Sequence, residues 1–316
     1  MTARAARAAQ GAAVRRHDLG TQGHPMDPTT AMYVAQGLHG LAYGMILFLI
    51  ASGLNVIFGM MGVLNLAHAS FFMLSAYLGY QVVVLTGSFW LALAFAPVGS
   101  ALLGVAMERF LLRRVHAFGH LGELILTIGV ASIVLAAVKT IWGTESLQLP
   151  MPKILEGQVS LGGLQYPIYR LFIIGLSLLI LAVMSLLLYK TRLGKIVRAA
   201  VSDAGMVNAL GINIPLVFMF VFGVGIWMAG VAGVAIAPIL TVFPGLADQV
   251  GMDAFIVVVT GGFGSLAGAF VISLIFGLLS SYGVQFVSQF APVLIVGFMA
   301  IVLAIRPHGL FGTRES

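Results

Sequence analysis

IFGMMGVLNLAHASFFMLSAYLGY, residues 57–80, is apolar enough for a membrane and too polar at its centre for lipid. It lies in a run without Asp, Glu, Lys or Arg from Pro28 to Met107. That run is long enough to cross a bilayer more than once, because one span takes about 20 apolar residues. Gly59 and Gly62 bracket two methionines, and Asn65 and His68 follow three apart. Glycine costs roughly 1 kcal/mol against alanine in a helix interior. Asn and His carry groups that are expensive to leave unpaired in hydrocarbon. Such backbone is tolerated at membrane depth only against protein or a water-filled path. The stretch is therefore predicted to be a broken or re-entrant segment lining a passage.

Composition extends this reading to the whole chain. Only 8% of the 316 residues are charged and 60% are hydrophobic, whereas a soluble domain carries about 25% charged residues. The expected fold is an all-α polytopic membrane protein of about eight or nine transmembrane segments, some broken or re-entrant, in two related halves. The hydrophobic runs do not alternate as barrel strands do. There is no cysteine, hence no disulfide, thiolate metal site or thiol nucleophile. The net charge of +6 fits Lys/Arg-rich cytoplasmic loops and gives no reason to expect nucleic acid.

Residues 1–30 are Ala/Arg/Gly-rich and are expected to be a disordered extension, with translation from Met26 as an alternative. Residues 31–312 form the transmembrane domain, 190–215 a cytoplasmic loop within it, and 313–316 a tail. The 109–120 and 190–214 loops are basic and the 143–168 connection is net acidic. Charge thus puts the first two inside and the third outside, and two segments between the basic loops satisfy parity. A short segment before Gly261, a helix from about Ser265 and a last one from Ala291 would return Arg306 to the cytoplasm. Parity places residue 30 outside although its arginines favour the inside; a start at Met26 would remove the conflict.

A second glycine break, GGFGS at 261–265, opens GGFGSLAGAFVISLIFGLLSSYG much as GMMG opens the first stretch. Paired Gly-interrupted segments point to a pathway between repeats; the plainer reading is that membrane helices are rich in glycine. The candidate pathway residues are Gly59, Gly62, Asn65, His68, Gly261, Gly262, Gly264 and Ser265. Each has a plainer reading. His68 and Asn65 would satisfy helix carbonyls, the favoured role for His68, and Gly261, Gly262 and Gly264 would serve close helix packing. Asp248 and Asp253 are read as caps of the half-helix before Gly261 rather than substrate ligands. His116 and His120 are four apart and could share a metal, but a solvated loop is the favoured reading.

The chemistry of enzymes is missing. There is no G-x-x-x-x-G-K-[ST], no H-E-x-x-H and no paired intramembrane carboxylate. No cofactor and no metal is expected. Without fixed charge in the spans, the passage suits a neutral or zwitterionic solute, with its energy supplied elsewhere.

Four stretches carry a family resemblance: GLNVIFGMMGVLNLAHASFFMLSAY (53–77), RLGKIVRAAVSDAGMVNALGI (192–212), APILTVFPG with DAFIVVVTGGFGSLAGAF (237–245 and 253–270), and RPHGLFG (306–312). In order and spacing the chain resembles the permease subunits of bacterial branched-chain amino acid ABC importers, and is most similar to the LivH-type member of the pair. The resemblance implies an inner-membrane, multi-pass permease rather than an enzyme. It also implies its partners: a second, LivM-type permease, two ABC ATPase subunits and a periplasmic solute-binding protein. It places Arg192, Gly194, Arg198, Ala199, Asp203 and Gly211 in the segment that couples to the ATPase. Ala204 departs from it, because many members carry a charge there. Relatives of similar architecture move urea or short amides, and a permease or facilitator for these is the alternative.

Overall fold

A computed structural model describes residues 27–161 and 164–312. The expected extension and tail lie outside these residues, except that the first helix already includes residues 28–30. Helix α1 spans Pro28–Met61. Proline fits its first turn, where a missing N–H costs nothing, and the Asp27 carbonyl accepts from Ala31 N–H at 2.9 Å. At 1.5 Å per residue α1 is about 51 Å long. It stops at Gly62, whose φ of 66° suits glycine and whose N–H donates to the Phe58 carbonyl at 2.8 Å.

Helix α2 (His68–Thr86) does not start where α1 ends. His68 Nε2 lies 3.1 Å from the Ile50 carbonyl oxygen. Ile50 is about three turns, roughly 16 Å, back from the end of α1. Residues 62–67 thus re-enter the bundle without helix, as the glycine break predicts. Helix α3 (Phe89–Met107) is capped by Ser88 and continues through a π turn, Glu108–Leu112, and short helical links into α4 (Gly119–Trp142). The expected 109–120 polar loop is therefore mostly helical. The reason is a carboxylate that the sequence reading passed over. Glu123, 2% exposed, takes His116 Nδ1 at 2.5 Å and His120 Nδ1 at 3.3 Å, which draws His116 onto the first turns of α4.

Strands β1 (Gln158–Leu161) and β2 (Leu164–Pro167) pair antiparallel. Then follow α5 (Ile168–Lys190), α6 (Arg192–Ser202), α7 (Ala204–Ala209), α8 (Ile214–Ile236), α9 (Leu246–Gly261), α10 (Leu266–Val287) and α11 (Ala291–Ile305). Six helical stretches are long and apolar enough to cross a membrane. Two of them, Phe89–Trp142 and Leu266–Ile305, fold back on themselves and hold two helices each.

Charge parity is reproduced in space. At one end the connection that leads into the strand pair meets the 237–245 loop, where Leu147 and Val242 form a bridge. Trp142 Nε1 donates to Gln81 there at 3.0 Å, and the Tyr169 hydroxyl to the Ala235 carbonyl at 2.7 Å. The opposite, basic end holds three cavities, lined among others by Met61 and Arg113, by Arg198, and by His120 and Phe311.

Helices α1 and α8 occupy the centre, with Leu47, Phe48, Phe222 and Ile226 fully buried. The outer helices present large apolar side chains: Leu85, Phe95, Leu121, Ile125 and Ile305 are each more than 60% exposed. A belt of this kind is a lipid-facing surface. Helix α1 runs antiparallel to α10, and small residues let the two backbones touch. A Cβ at Gly277 would lie 2.7 Å from Gly44 Cα, whereas one at Gly175, on α5, meets nothing within 4 Å. Gly277→Val is expected to cost about 3 kcal/mol by overpacking and Gly175→Val next to nothing. Thermal midpoints of the two variants in detergent, read by size exclusion after heating, test the contrast.

Candidate functional site

The two glycine breaks meet. A Cβ on Gly59 would lie 2.8 Å from Gly264 Cα, so only glycine permits the contact. Asn55, one turn earlier on α1, ties them. Its Oδ1 accepts from Gly264 N–H and its Nδ2 donates to the Ser265 carbonyl, both at 3.1 Å. Ser265 in turn caps α10, its Oγ accepting from Gly268 N–H at 3.0 Å. Asn55 was not among the predicted residues. It lies in the same uncharged run as Asn65 and is equally polar, which is the signal that could have found it.

Gly59, Gly62, Gly264 and Ser265 line the basic end. Two adjoining cavities of about 330 and 690 Å³ lie there and share Gly59, Met60, Tyr189, Val201, Gly264 and Leu266. Asn65 and His68 line a third cavity, of about 260 Å³, between α1, the start of α2 and α9. Gly261 and Gly262 line none of these three. Gly261 packs on Gly268, and Gly262 packs on Gly309 and Gly312 of the C-terminal segment. That segment closes the end of α9: Leu310 N–H donates to the Thr260 carbonyl at 2.9 Å and Phe311 N–H to Gly261 at 3.1 Å. Close packing is thus what the structure makes of these two glycines.

The expected cap by Asp253 is not formed. The N-cap of α9 is Gly245, with no side-chain hydrogen bond. Asp253 sits two turns inside the helix and accepts from the Tyr43 hydroxyl at 2.5 Å, joining α9 to α1. Asp248 lies in the first turn and faces the third cavity instead.

The predicted coupling residues fall on one amphipathic unit. Thr191 caps α6, its Oγ1 accepting from Gly194 N–H at 3.1 Å. Gly194, Val197 and Ala200 are buried, and Val197 and Ala200 pack with Met60, Val207, Ile214 and Val221. Arg192, Lys195, Arg198 and Ala199 are on the exposed side. Arg198 is already engaged: its guanidinium donates to the Leu188 carbonyl and lies 5.5 Å over the Tyr189 ring. Asp203 caps α7, accepting from Met206 N–H at 2.8 Å, and Gly211 takes φ 84° in the turn after it. Gly194, Asp203 and Gly211 shape the unit, while Arg192, Lys195 and Ala199 are its outward face.

A family model described as a branched-chain amino acid transport system / permease component matches residues 37–305. The chain belongs to this family. It is 28% identical over 304 residues to the high-affinity branched-chain amino acid transport system permease protein BraD of Pseudomonas aeruginosa, covering 91% of this chain and 98% of BraD. It is 28% identical over 301 residues to LivH of Escherichia coli K12, covering 90% and 96%. The probable LivH of Methanocaldococcus jannaschii is 23% identical over 291 residues, covering 86% and 90%. Among solved structures, PsaBC from Streptococcus pneumoniae in complex with Fab aligns at 12% identity and a TM-score of 0.47, over 86% of this chain and 92% of that one. The chain is thus a multi-pass permease component of a transport system and not an enzyme. Nothing among these relatives favours urea or short amides.

Proposed function

We propose that this permease works in a bacterial inner membrane as one half of the passage of an ATP-driven importer for branched-chain amino acids. A second, LivM-type permease completes the passage, two ABC ATPases drive it and a periplasmic binding protein delivers the solute. The basic end faces the cytoplasm and the strand pair faces the periplasm, as the Lys/Arg bias favours. Residues 31–312 form one permease domain.

One observation carries the reading. Helix α6 and both glycine breaks line the same cavity: Val197, Arg198 and Val201 face Asn55, Gly59, Gly264 and Leu266 across it. A partner that grips the exposed side of α6 therefore pushes on the place where α1 and α10 are interrupted. Val197 and Ala200, seated on Met60, pass the displacement to the end of α1. Rigid helices rocking about such breaks give alternating access. Two continuous helices at this place would resist that motion.

The test is uptake into proteoliposomes. The complete importer should accumulate labelled leucine only with ATP inside and loaded binding protein outside. Leucine flux through this chain alone, without ATPase or nucleotide, would overturn the proposal. Charge reversal on the free face gives a second measurement. Arg192→Glu is expected to lower co-purification of the ATPase at least fivefold, with the effect shrinking at high salt.

A further inference from the structure

We infer that the cavity at the start of α2 holds the zwitterionic head of an α-amino acid, its carboxylate on the first turn of α2 and the Asn65 amide, its ammonium toward Asp248. The inference rests on the permease reading above and adds to it a site and a reason for the substrate class.

A helix N-terminus inside a bundle is an anion site because its first N–H groups lack intrahelical partners and carry the positive end of the helix dipole. Helix α2 begins deep in the bundle and has no capping side chain. His68 N–H is taken by the Asn65 carbonyl at 3.2 Å and Phe71 N–H by Ala67 at 3.1 Å. The N–H groups of Ala69 and Ser70 make no hydrogen bond among the described residues, and both residues line the cavity.

A second observation points to a ligand independently. The Asn65 side chain is 1% exposed and its Nδ2 has no partner. Its Oδ1 is held by Ala67 N–H at 3.1 Å, which fixes the amide and leaves the NH₂ edge turned away from that bond. A buried donor left open costs about 1–3 kcal/mol, and a carboxylate would satisfy it together with the two backbone groups. Half-helices with such ends receive anionic substrate groups in other membrane transporters.

The rest of the cavity suits the remainder of the molecule. Asp248 supplies a carboxylate on the α9 wall. Leu54, Leu66, Met252 and Phe255 make the other surfaces apolar, as an aliphatic side chain requires. The volume, about 260 Å³, falls just under the roughly 300 Å³ at which sites for drug-sized ligands begin. His68 is a positioning residue. It pins α2 to the Ile50 carbonyl, and Gly53 leaves room for the ring, since a Cβ there would lie 3.1 Å from Nε2. A neutral amide would answer the donors and leave the charge of Asp248 uncompensated, whereas an amino acid answers both.

The chain contains no cysteine, so one introduced thiol is the single site of modification read on this chain. Leu66 and Met252 line it and are 40% and 62% exposed. In the complete importer, Leu66→Cys or Met252→Cys is treated with a small charged thiol reagent. Millimolar leucine is expected to slow modification at least fivefold. Leucinamide, which lacks the carboxylate, and 4-methylpentanoate, which lacks the ammonium, should not. Adding Asn65→Ala or Asp248→Asn should remove the protection. Equal protection by all three compounds, or none by leucine at either cysteine, overturns the head-group site. Leucine uptake by the same preparation separates the outcomes: ATP-driven uptake without protection sinks this inference alone, and absence of such uptake sinks the permease reading.

Discussion

Gly194→Val is expected to reduce ATP-driven uptake at least twentyfold while the protein still reaches the membrane. Helix α6 turns back on the end of α5 so tightly that a Cβ at Gly194 would run into the carbonyls of Leu187 and Leu188. Those are backbone atoms and cannot swing aside, so α6 itself must move. The movement breaks three attachments at once. Thr191 loses its bond to Gly194 N–H, the Arg198 guanidinium leaves the Leu188 carbonyl, and Val197 and Ala200 lift off Met60. The transmembrane bundle is held by other contacts, chiefly α1 on α10 and α8 on α3, and should keep its melting temperature within a few degrees. The signature is a folded permease that no longer stimulates or retains its ATPase. Uptake at the normal rate in this variant would show that α6 is not the lever. Gly175→Val, on the open side of α5, serves as the comparison expected to change uptake less than twofold.

Asn55→Leu is the second large effect. Leucine matches asparagine in branching and is the larger of the two, so the change removes hydrogen bonds without opening a cavity. Gly264 N–H and the Ser265 carbonyl both lose their partner, in a place that is partly closed to water. Orphaning each costs about 1–3 kcal/mol, and together that is enough to part the breaks. Asn55→Asp separates the two bonds. A carboxylate still accepts from Gly264 N–H but cannot donate to Ser265, so its loss should be intermediate. The measurement is thiol labelling of Ala267→Cys, at the wall of the larger cavity, together with the thermal midpoint. Labelling faster than in the parent, in the order Leu then Asp, is the expected result. Identical labelling in all three would mean that Asn55 does not hold the breaks together.

Much of this architecture was legible in the residues. Long uncharged runs announce the helices, and Lys/Arg clusters sort their ends. A glycine pair beside Asn and His marks the place where α1 gives way to α2. What escaped depends on partners far apart in sequence. Nothing local says that Asp253 belongs to Tyr43, and an acid shortly before an interrupted segment reads naturally as a cap. Nor can a Gly-Gly pair reveal whether it opens to a path or admits another backbone; the Gly309–Gly312 segment decides that for Gly262. Glu123 was hidden by its setting, because a carboxylate at the edge of a basic loop looks solvated until two histidines are found closing on it. Asp203 and Gly211 carry family spacing for a local reason, one starting a short helix and the other ending it.

The segment that closes α9 has a bearing on how the protein is made. Thr260 and Gly261 leave the ribosome about fifty residues before Leu310 and Phe311, the groups that later take their carbonyl oxygens. Until translation is nearly over, the nascent second break has two acceptors with no protein donor, and these stay where water or the insertion machinery can serve them. The end of α9 is therefore among the last parts to be sealed, and a chain stopped before Leu310 would leave the basic end of the bundle without its closing segment.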